Sequence, residues 1–219
     1  MILDLGLVDY EKAYKLQKEL AAKRLAGEID GSLLIAEHTP VFTIGRTGSR
    51  ENLLVSDDIL KQKGIQVLSV DRGGDITYHG PGQLVLYPII DLKDRTRDLH
   101  KYMRDLEEAA IRLLNEYAIT GRRREGMTGV WAGDKKIAFV GVAARNWVTY
   151  HGLSINVSTD LRYFSMIHPC GLKGIETTSM QALLQKDISF AEIKTKAVAC
   201  IKEIFGIREE ISAQYAAVA

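Results

Sequence analysis

The apolar positions change period several times along the chain, and each change marks an element. Residues 9–26 carry Tyr10, Ala13, Leu16, Leu20 and Ala21 near helical spacing, with Asp9 placed to cap the first turn. Two short apolar runs follow, Leu33-Leu34-Ile35-Ala36 and Val41-Phe42-Thr43-Ile44. Glu37-His38-Thr39-Pro40 separates them, which predicts two strands joined by a turn. Residues 57–63 read as a short helix between a Ser56 cap and a Gly64 stop, and 65–70 as a strand. The run 84–92 is a strand interrupted by Pro88; proline cannot donate to a ladder, so an edge position or a bulge is expected there. The longest periodic segment is 98–118, where Leu99, Tyr102, Met103, Leu106, Ala110, Leu113 and Leu114 form one buried stripe. Arg122-Arg123-Arg124 reads as a basic loop. Residues 130–132 and 136–144 read as a hairpin around Gly133-Asp134, followed by strands at 147–150 and 153–157. After a loop at His168-Pro169-Cys170-Gly171 two helices close the chain. The second begins with a capping box, Ser189 and Glu192, and ends at Gly206.

Long helices and short strands are interleaved without a regular strand–helix alternation. The short connections between 130 and 157 favour antiparallel pairing. The expected fold class is α/β (α+β), a single domain over 1–219 with a mostly antiparallel or mixed sheet flanked by helices. A chain of 219 residues is long enough for one substantial core. The formal net charge of +1 gives no overall bias toward nucleic acid or membrane. No apolar run is long enough to span a bilayer. The start Met1-Ile2-Leu3-Asp4-Leu5 lacks a signal-peptide pattern. Two cysteines are too few for a disulfide framework, and a cytoplasmic location is expected.

Candidate chemistry concentrates in three places. The first is Arg72-Gly73-Gly74-Asp75-Ile76-Thr77-Tyr78-His79-Gly80-Pro81-Gly82-Gln83, where glycines alternate with large polar heads ahead of the apolar run Leu84-Val85-Leu86-Tyr87. Glycine lets another group approach the backbone closely, so the segment reads as one wall of a ligand site; a plain hairpin has the same composition. The second is Cys170, between Pro169 and Gly171 and outside any apolar period. Cys200 lies in the helical run Ala197-Val198-Ala199-Cys200-Ile201 and reads as a core residue. A free thiol is only about 3% thiolate at neutral pH, so a nucleophilic cysteine needs a cation beside it. The third place supplies a candidate cation: Lys135 and Lys136 open an apolar strand, and alternation turns one inward without saying which. The histidines lack the spacing of a metal site, and no phosphate loop is present, so no metal and no cofactor is expected.

These residues resemble a family. Arg72-Gly73-Gly74, Thr77-Tyr78-His79, Gly82-Gln83 and Tyr87 are similar to the signature of the octanoyltransferases of lipoate biosynthesis, the lipoate biosynthesis protein B family. Glu37-His38-Thr39-Pro40-Val41 with Gly45-Arg46, Lys136-Ile137-Ala138 with Gly141, Tyr150-His151-Gly152-Leu153 with Asn156, and Pro169-Cys170-Gly171 resemble its other blocks, in the same order. Phe139 and Ser154 stand where the family pattern is smaller or more apolar, which changes the shape of an acyl site. The resemblance implies a fold shared with biotin and lipoate protein ligases. It implies that Cys170 carries an acyl group as a thioester and that Lys136, rather than Lys135, handles the proton. It implies substrate contacts at Arg72, Gly73, Gly74, Asp75, Ile76, Thr77, Tyr78 and His79, at Phe139, Val140 and Gly141, and at Gly152, Leu153 and Ser154. The implied donor is octanoyl-acyl carrier protein. The implied acceptors are apo lipoyl domains of 2-oxoacid dehydrogenase E2 subunits and the glycine cleavage H protein, with no nucleic acid or membrane partner. The alternative on the same scaffold is an ATP-dependent lipoate or biotin protein ligase. Arg46 and the Arg122–124 run are candidate contacts for an acidic carrier, or simply solvated charge.

Overall fold

The computed structural model describes residues 1–207 and 211–212. In chain order the elements are β1 (Ile2–Val8), α1 (Tyr10–Leu25), β2 (Ser32–His38), β3 (Val41–Ile44), α2 (Asp57–Lys63), β4 (Gln66–Ser69), β5 (Ile76–His79) and β6 (Gln83–Ile89). They continue with α3 (Leu99–Asn115), β7 (Gly121–Arg124), β8 (Met127–Ala132), β9 (Lys135–Arg145), β10 (Val148–Asn156), α4 (Met180–Leu184), α5 (Phe190–Phe205) and β11 (Ile211–Ser212). Eight strands form the larger sheet in the order β11-β1-β2-β6-β10-β9-β8-β7, and three form a smaller one, β4-β3-β5. In the larger sheet β1 runs parallel to β2 and β11, and the remaining pairs are antiparallel. The sheet is therefore mixed and mostly antiparallel, with helices on its faces, as the interleaved pattern predicts.

Alternation along the central strands sends successive side chains to opposite faces, and both faces are covered. Leu33, Ile35, Leu84 and Leu86 pack with the α3 stripe and with Ile193, Ala197 and Ile201 of α5; Cys200 lies buried in the same cluster. Leu34, Ala36, Val85 and Tyr87 face Ala13 and Leu20 of α1. The smaller sheet, α2 and a 3₁₀ turn at Leu161–Met166 enclose a third cluster around Phe42, Tyr78, Phe164 and Ile167.

Four details depart from the sequence reading. The N-terminal residues form β1, which pattern alone did not single out. Arg122-Arg123-Arg124 is not a loop but the edge strand β7. There Arg123 pairs with Glu107 and Glu108, and Arg124 pairs with Asp134 and lies over the Trp131 ring. Two of the three charges are thus engaged within the molecule. Segments 147–150 and 153–157 are one strand, β10, bent at His151, whose φ is 57°. Finally, Pro88 does not lie at an edge: β6 sits between β2 and β10. The proline is tolerated because β10 pairs with β6 only from Gln83 to Leu86. Beyond that point β10 bends, and Gly152 comes so close that a Cβ there would lie 2.3 Å from the Leu86 carbonyl oxygen and 3.0 Å from Pro88 Cδ.

Gly152→Ala should therefore force β6 and β10 apart. The expected loss is about 1–3 kcal/mol of stability, the scale of overpacking, read as a lower urea midpoint at unchanged slope.

Candidate active site

Strand alternation at the start of β9 settles which lysine points in. Lys135 is exposed and pairs with Glu176 at 2.9 Å, whereas Lys136 is 3% exposed. The ladder with β8 slips by one residue between Trp131↔Lys136 and Val130↔Ala138, an irregularity of the kind that re-aims a side chain. On the other side of β9 the Lys136 amide donates to the Glu176 carbonyl (2.8 Å), and the Lys136 carbonyl accepts from the Thr178 amide (2.9 Å). The ammonium donates to the Thr128 carbonyl at 2.8 Å and lies 3.2 Å from Cys170 Sγ. It also stands 5.0 Å from the centre of the Phe139 ring, and among the described residues no carboxylate forms an ion pair with it.

Cys170 reaches this position from a 3₁₀ turn, Pro169–Gly171, with φ 60° and ψ 21°. A left-handed conformation at a non-glycine residue costs on the order of 1–2 kcal/mol and persists only where the surroundings enforce it. Several bonds do so. The Gly171 amide donates to the His168 carbonyl (2.9 Å), the His168 amide to the Asn52 carbonyl (2.8 Å), and the Leu54 amide to the Met166 carbonyl (2.8 Å). Asp75 ties the adjoining loop down: its carboxylate accepts from the Ser49 amide (3.2 Å), the Ile76 amide (2.6 Å) and Asn52 Nδ2 (2.7 Å). A Cβ on Gly171 would lie 2.4 Å from Asp75 Oδ2, so the turn seats against that carboxylate only with glycine there. The Gly171 and Leu172 amides are both engaged within the turn, by His168 and Pro169.

Beside the pair opens a pocket of about 480 Å³ of atom-free space, its mouth included. It lies between the larger sheet and the 72–79 segment. Of the residues the resemblance implies, Arg72, Gly73, Gly74, Asp75, Ile76, Thr77, His79, Phe139, Val140, Gly141, Gly152, Leu153 and Ser154 line it, together with Cys170. Tyr78 does not line it. Alternation along β5 turns its ring into the third cluster, where it stacks on Tyr163 with ring centres 4.6 Å apart. Lys136 lies behind the wall and touches the site through the cysteine. Arg72 is buried and crosses β9 at Gly141, where a Cβ would lie 3.0 Å from Arg72 Cδ; its Nη2 donates to the Thr43 carbonyl at 2.6 Å. Phe139 stacks on Phe164, and the buried hydroxyls of Thr77 and Ser154 have no hydrogen-bond partner among the described residues.

Tyr10, Val85, Tyr87 and His151 also line the pocket, and sequence reasoning did not assign them to it. Behind them lies a part-buried polar network. Asp71 accepts from His151 Nε2 (2.9 Å), Tyr14 Oη (2.5 Å) and Tyr150 Oη (2.9 Å). These bonds, that of His151 foremost, hold its carboxyl well below the usual carboxylate range. Burial lowers His38 to about 4 and His79 well below its ordinary value. His38 Nδ1–H donates to the Val8 carbonyl (3.0 Å), which leaves Nε2 to accept from Tyr87 Oη (2.7 Å). The sequence signal was slight: Tyr10 reads as an ordinary helix-face residue, and nothing in its spacing links it to residues 71, 79 or 151.

The lipoyl protein ligase A/B catalytic domain matches residues 9–202. The chain belongs to that family. An octanoyltransferase of Syntrophotalea carbinolica is 48% identical over 90% of this chain and 90% of its own. One of Solibacter usitatus is 52% identical over 82% and 81%. These relatives place the chain among the octanoyltransferases, enzymes of the acyltransferase class. The fold is shared more widely. A lipoate protein ligase of Thermoplasma acidophilum with bound lipoic acid superposes with a TM-score of 0.77 over 97% of this chain and 87% of that one, at 19% identity. A biotin protein ligase of Aquifex aeolicus gives 0.57 over 94% and 70%, at 16% identity.

The buried histidines give the fold a pH dependence whose sign is fixed. His38 titrates at about 4 when folded and near ~6.5 when unfolded, so the unfolded chain takes up the proton first. Stability should be full above about pH 6.5 and fall as the pH drops toward about 4, by about 3 kcal/mol for His38 alone. His79 acts in the same direction. Urea unfolding across that range should show the slope, and His38→Asn should reduce it.

Proposed function

We propose that the chain transfers an octanoyl group from octanoyl-acyl carrier protein to a lysine of a lipoyl domain, with Cys170 holding the acyl group as a thioester between the two steps. The observation that carries this reading is the 3.2 Å contact between Lys136 Nζ and Cys170 Sγ beside the pocket. A buried ammonium is costly unless an opposite charge lies nearby. The group in reach is the sulfur, and a thiolate is the nucleophilic form of cysteine.

The Cys170 thiolate attacks the donor thioester carbonyl, and the carbon–sulfur bond to the carrier breaks. The carrier thiolate leaves with a proton from Lys136, whose amine becomes neutral. The acceptor amine then attacks the Cys170 thioester and passes a proton to Lys136 as the amide forms. Cys170 returns as a thiolate beside a restored ammonium, so protons and charge balance over the cycle. Thioester exchange is nearly neutral in energy and amide formation is downhill, so no ATP is required. Ile76, Val85, Phe139, Val140 and Leu153 supply the apolar part of the lining. Burying the six CH₂ groups of an octanoyl chain contributes about 5 kcal/mol, at about 0.8 kcal/mol each. The acceptors are the lipoyl domains of 2-oxoacid dehydrogenase E2 subunits and the glycine cleavage H protein.

Some neighbours in fold are ligases, and the second reading is an ATP-dependent ligase in which Cys170 is incidental. The purified enzyme mixed with octanoyl-acyl carrier protein and no ATP should gain one octanoyl group in mass. That gain should disappear in Cys170→Ser. Turnover that requires ATP, with no adduct on Cys170, would show the ligase reading to be correct. Lys136→Ala should slow iodoacetamide alkylation of Cys170 at neutral pH by about tenfold or more, as expected when a thiol loses its adjacent cation. An undiminished rate would mean that Lys136 does not activate the sulfur.

A further inference from the structure

Glu107 is a fully buried carboxylate on α3, and no step above uses it. Its Oε2 accepts from Arg104 Nη1 at 2.7 Å and from Arg123 Nε at 3.1 Å. Both arginines stand at the surface, with side chains 53% and 35% exposed. Its Oε1 accepts from the Gly129 amide at 2.7 Å, inside the protein. That amide belongs to the same peptide group as the Thr128 carbonyl, which accepts from Lys136 Nζ at 2.8 Å.

A trans peptide group is planar, with its N–H and C=O directed oppositely. Among the described residues every peptide is trans. The carboxylate therefore grips one end of the 128–129 peptide and the ammonium the other. The peptide dipole lies along the line between them, with its negative end toward the cation. The site is also shaped for this contact. Gly129 has φ 119°, and a Cβ on it would lie 2.6 Å from Lys136 Cε and 2.6 Å from the Ala138 carbonyl oxygen. Glycine at 129 thus clears the slot through which the lysine stem passes.

We propose that Glu107 is a positioning residue for Lys136: by holding the Gly129 amide it fixes the peptide whose Thr128 carbonyl aims the ammonium at Cys170. This rests on the reading of Lys136 given above. Without the anchor, the peptide is free to rotate, and the ammonium follows its carbonyl away from the sulfur. Chemistry that depends on proximity is sensitive to displacements on the order of 1 Å.

Glu107→Gln is nearly isosteric and tests this with little risk to the fold. Two guanidinium groups claim the single carboxamide oxygen, because charge-assisted bonds are the stronger ones, and the NH₂ is left facing the Gly129 amide. The bond to Gly129 is lost while the packing is kept. Alkylation of Cys170 at neutral pH should slow by about tenfold, and the pH profile of alkylation should move toward that of Lys136→Ala. In acyl transfer kcat should fall while KM for octanoyl-acyl carrier protein stays near the wild-type value. Arg123→Ala breaks an ion pair of Glu107 but keeps the Gly129 bond, so its alkylation profile should match wild type. A wild-type rate and profile in Glu107→Gln would overturn the proposal. So would an Arg123→Ala variant as slow as Glu107→Gln, which would reduce Glu107 to an anchor between α3 and β7. If Lys136→Ala alkylates at the wild-type rate, the reading of Lys136 is what fails. If Lys136→Ala is slow and Glu107→Gln is not, only the role of Glu107 fails.

Discussion

The architecture around the site is organised by one contact, a buried ammonium against a sulfur. Lys136 is the second residue of β9 in the larger sheet, and Cys170 sits in a turn 34 residues later. Neither would hold its place alone. The lysine is fixed by pairing on both sides of β9, with a slipped ladder toward β8 and the 176–178 segment on the other side. The cysteine is kept in a left-handed conformation by a loop that Asp75 and Asn52 secure. Asp75 belongs to the glycine-rich wall, so the same segment that lines the pocket also seats the Cys170 turn. Displacing that segment would alter the pocket and the Lys136–Cys170 contact together.

The glycines and the buried polar groups divide the remaining work. Gly141 lets Arg72 cross β9, Gly152 lets β10 close over Pro88, and Gly171 lets the turn rest against Asp75. Each close approach puts the backbone or side chain of another element where a side chain would otherwise stand. At the pocket's inner lining, Tyr10 and His151 connect to Asp71, Tyr87 connects through His38 to the Val8 carbonyl, and His79 bonds Gln83 Oε1. Burial lowers both His38, behind this lining, and His79, within it, so the two imidazoles stay neutral at physiological pH. Two cations flank the site: Arg72 within the pocket lining and Lys136 behind Cys170.

Much of this was legible in the residue pattern, because the strongest periodicities belong to the elements with the deepest burial. The α3 stripe and the α5 capping box are local signals, and local geometry obeyed them. Pro88 misled because the rule for proline concerns the ladder it would interrupt. Here β10 bends away just where the missing donor would matter. The arginine run misled because a charged edge strand and a charged loop have the same composition, and only pairing with β8 distinguishes them. Tyr78 was grouped with its neighbours in the motif, but its ring packs on Tyr163 and Phe164 in the third cluster.

The sequence by itself determined the mixed α/β class, the family resemblance, the contrast between a loop cysteine and a helix cysteine, and the two lysines of which one had to face inward. Those follow from short-range spacing and residue chemistry, which the linear chain records. The tertiary structure decided that Lys136 meets Cys170, that Tyr10 and His151 share a pocket wall, and that a carboxylate on α3 holds the peptide that aims the lysine. Such encounters join residues tens to more than a hundred positions apart. Their geometry is set by sheet order, strand register and close packing, none of which is written in any local pattern.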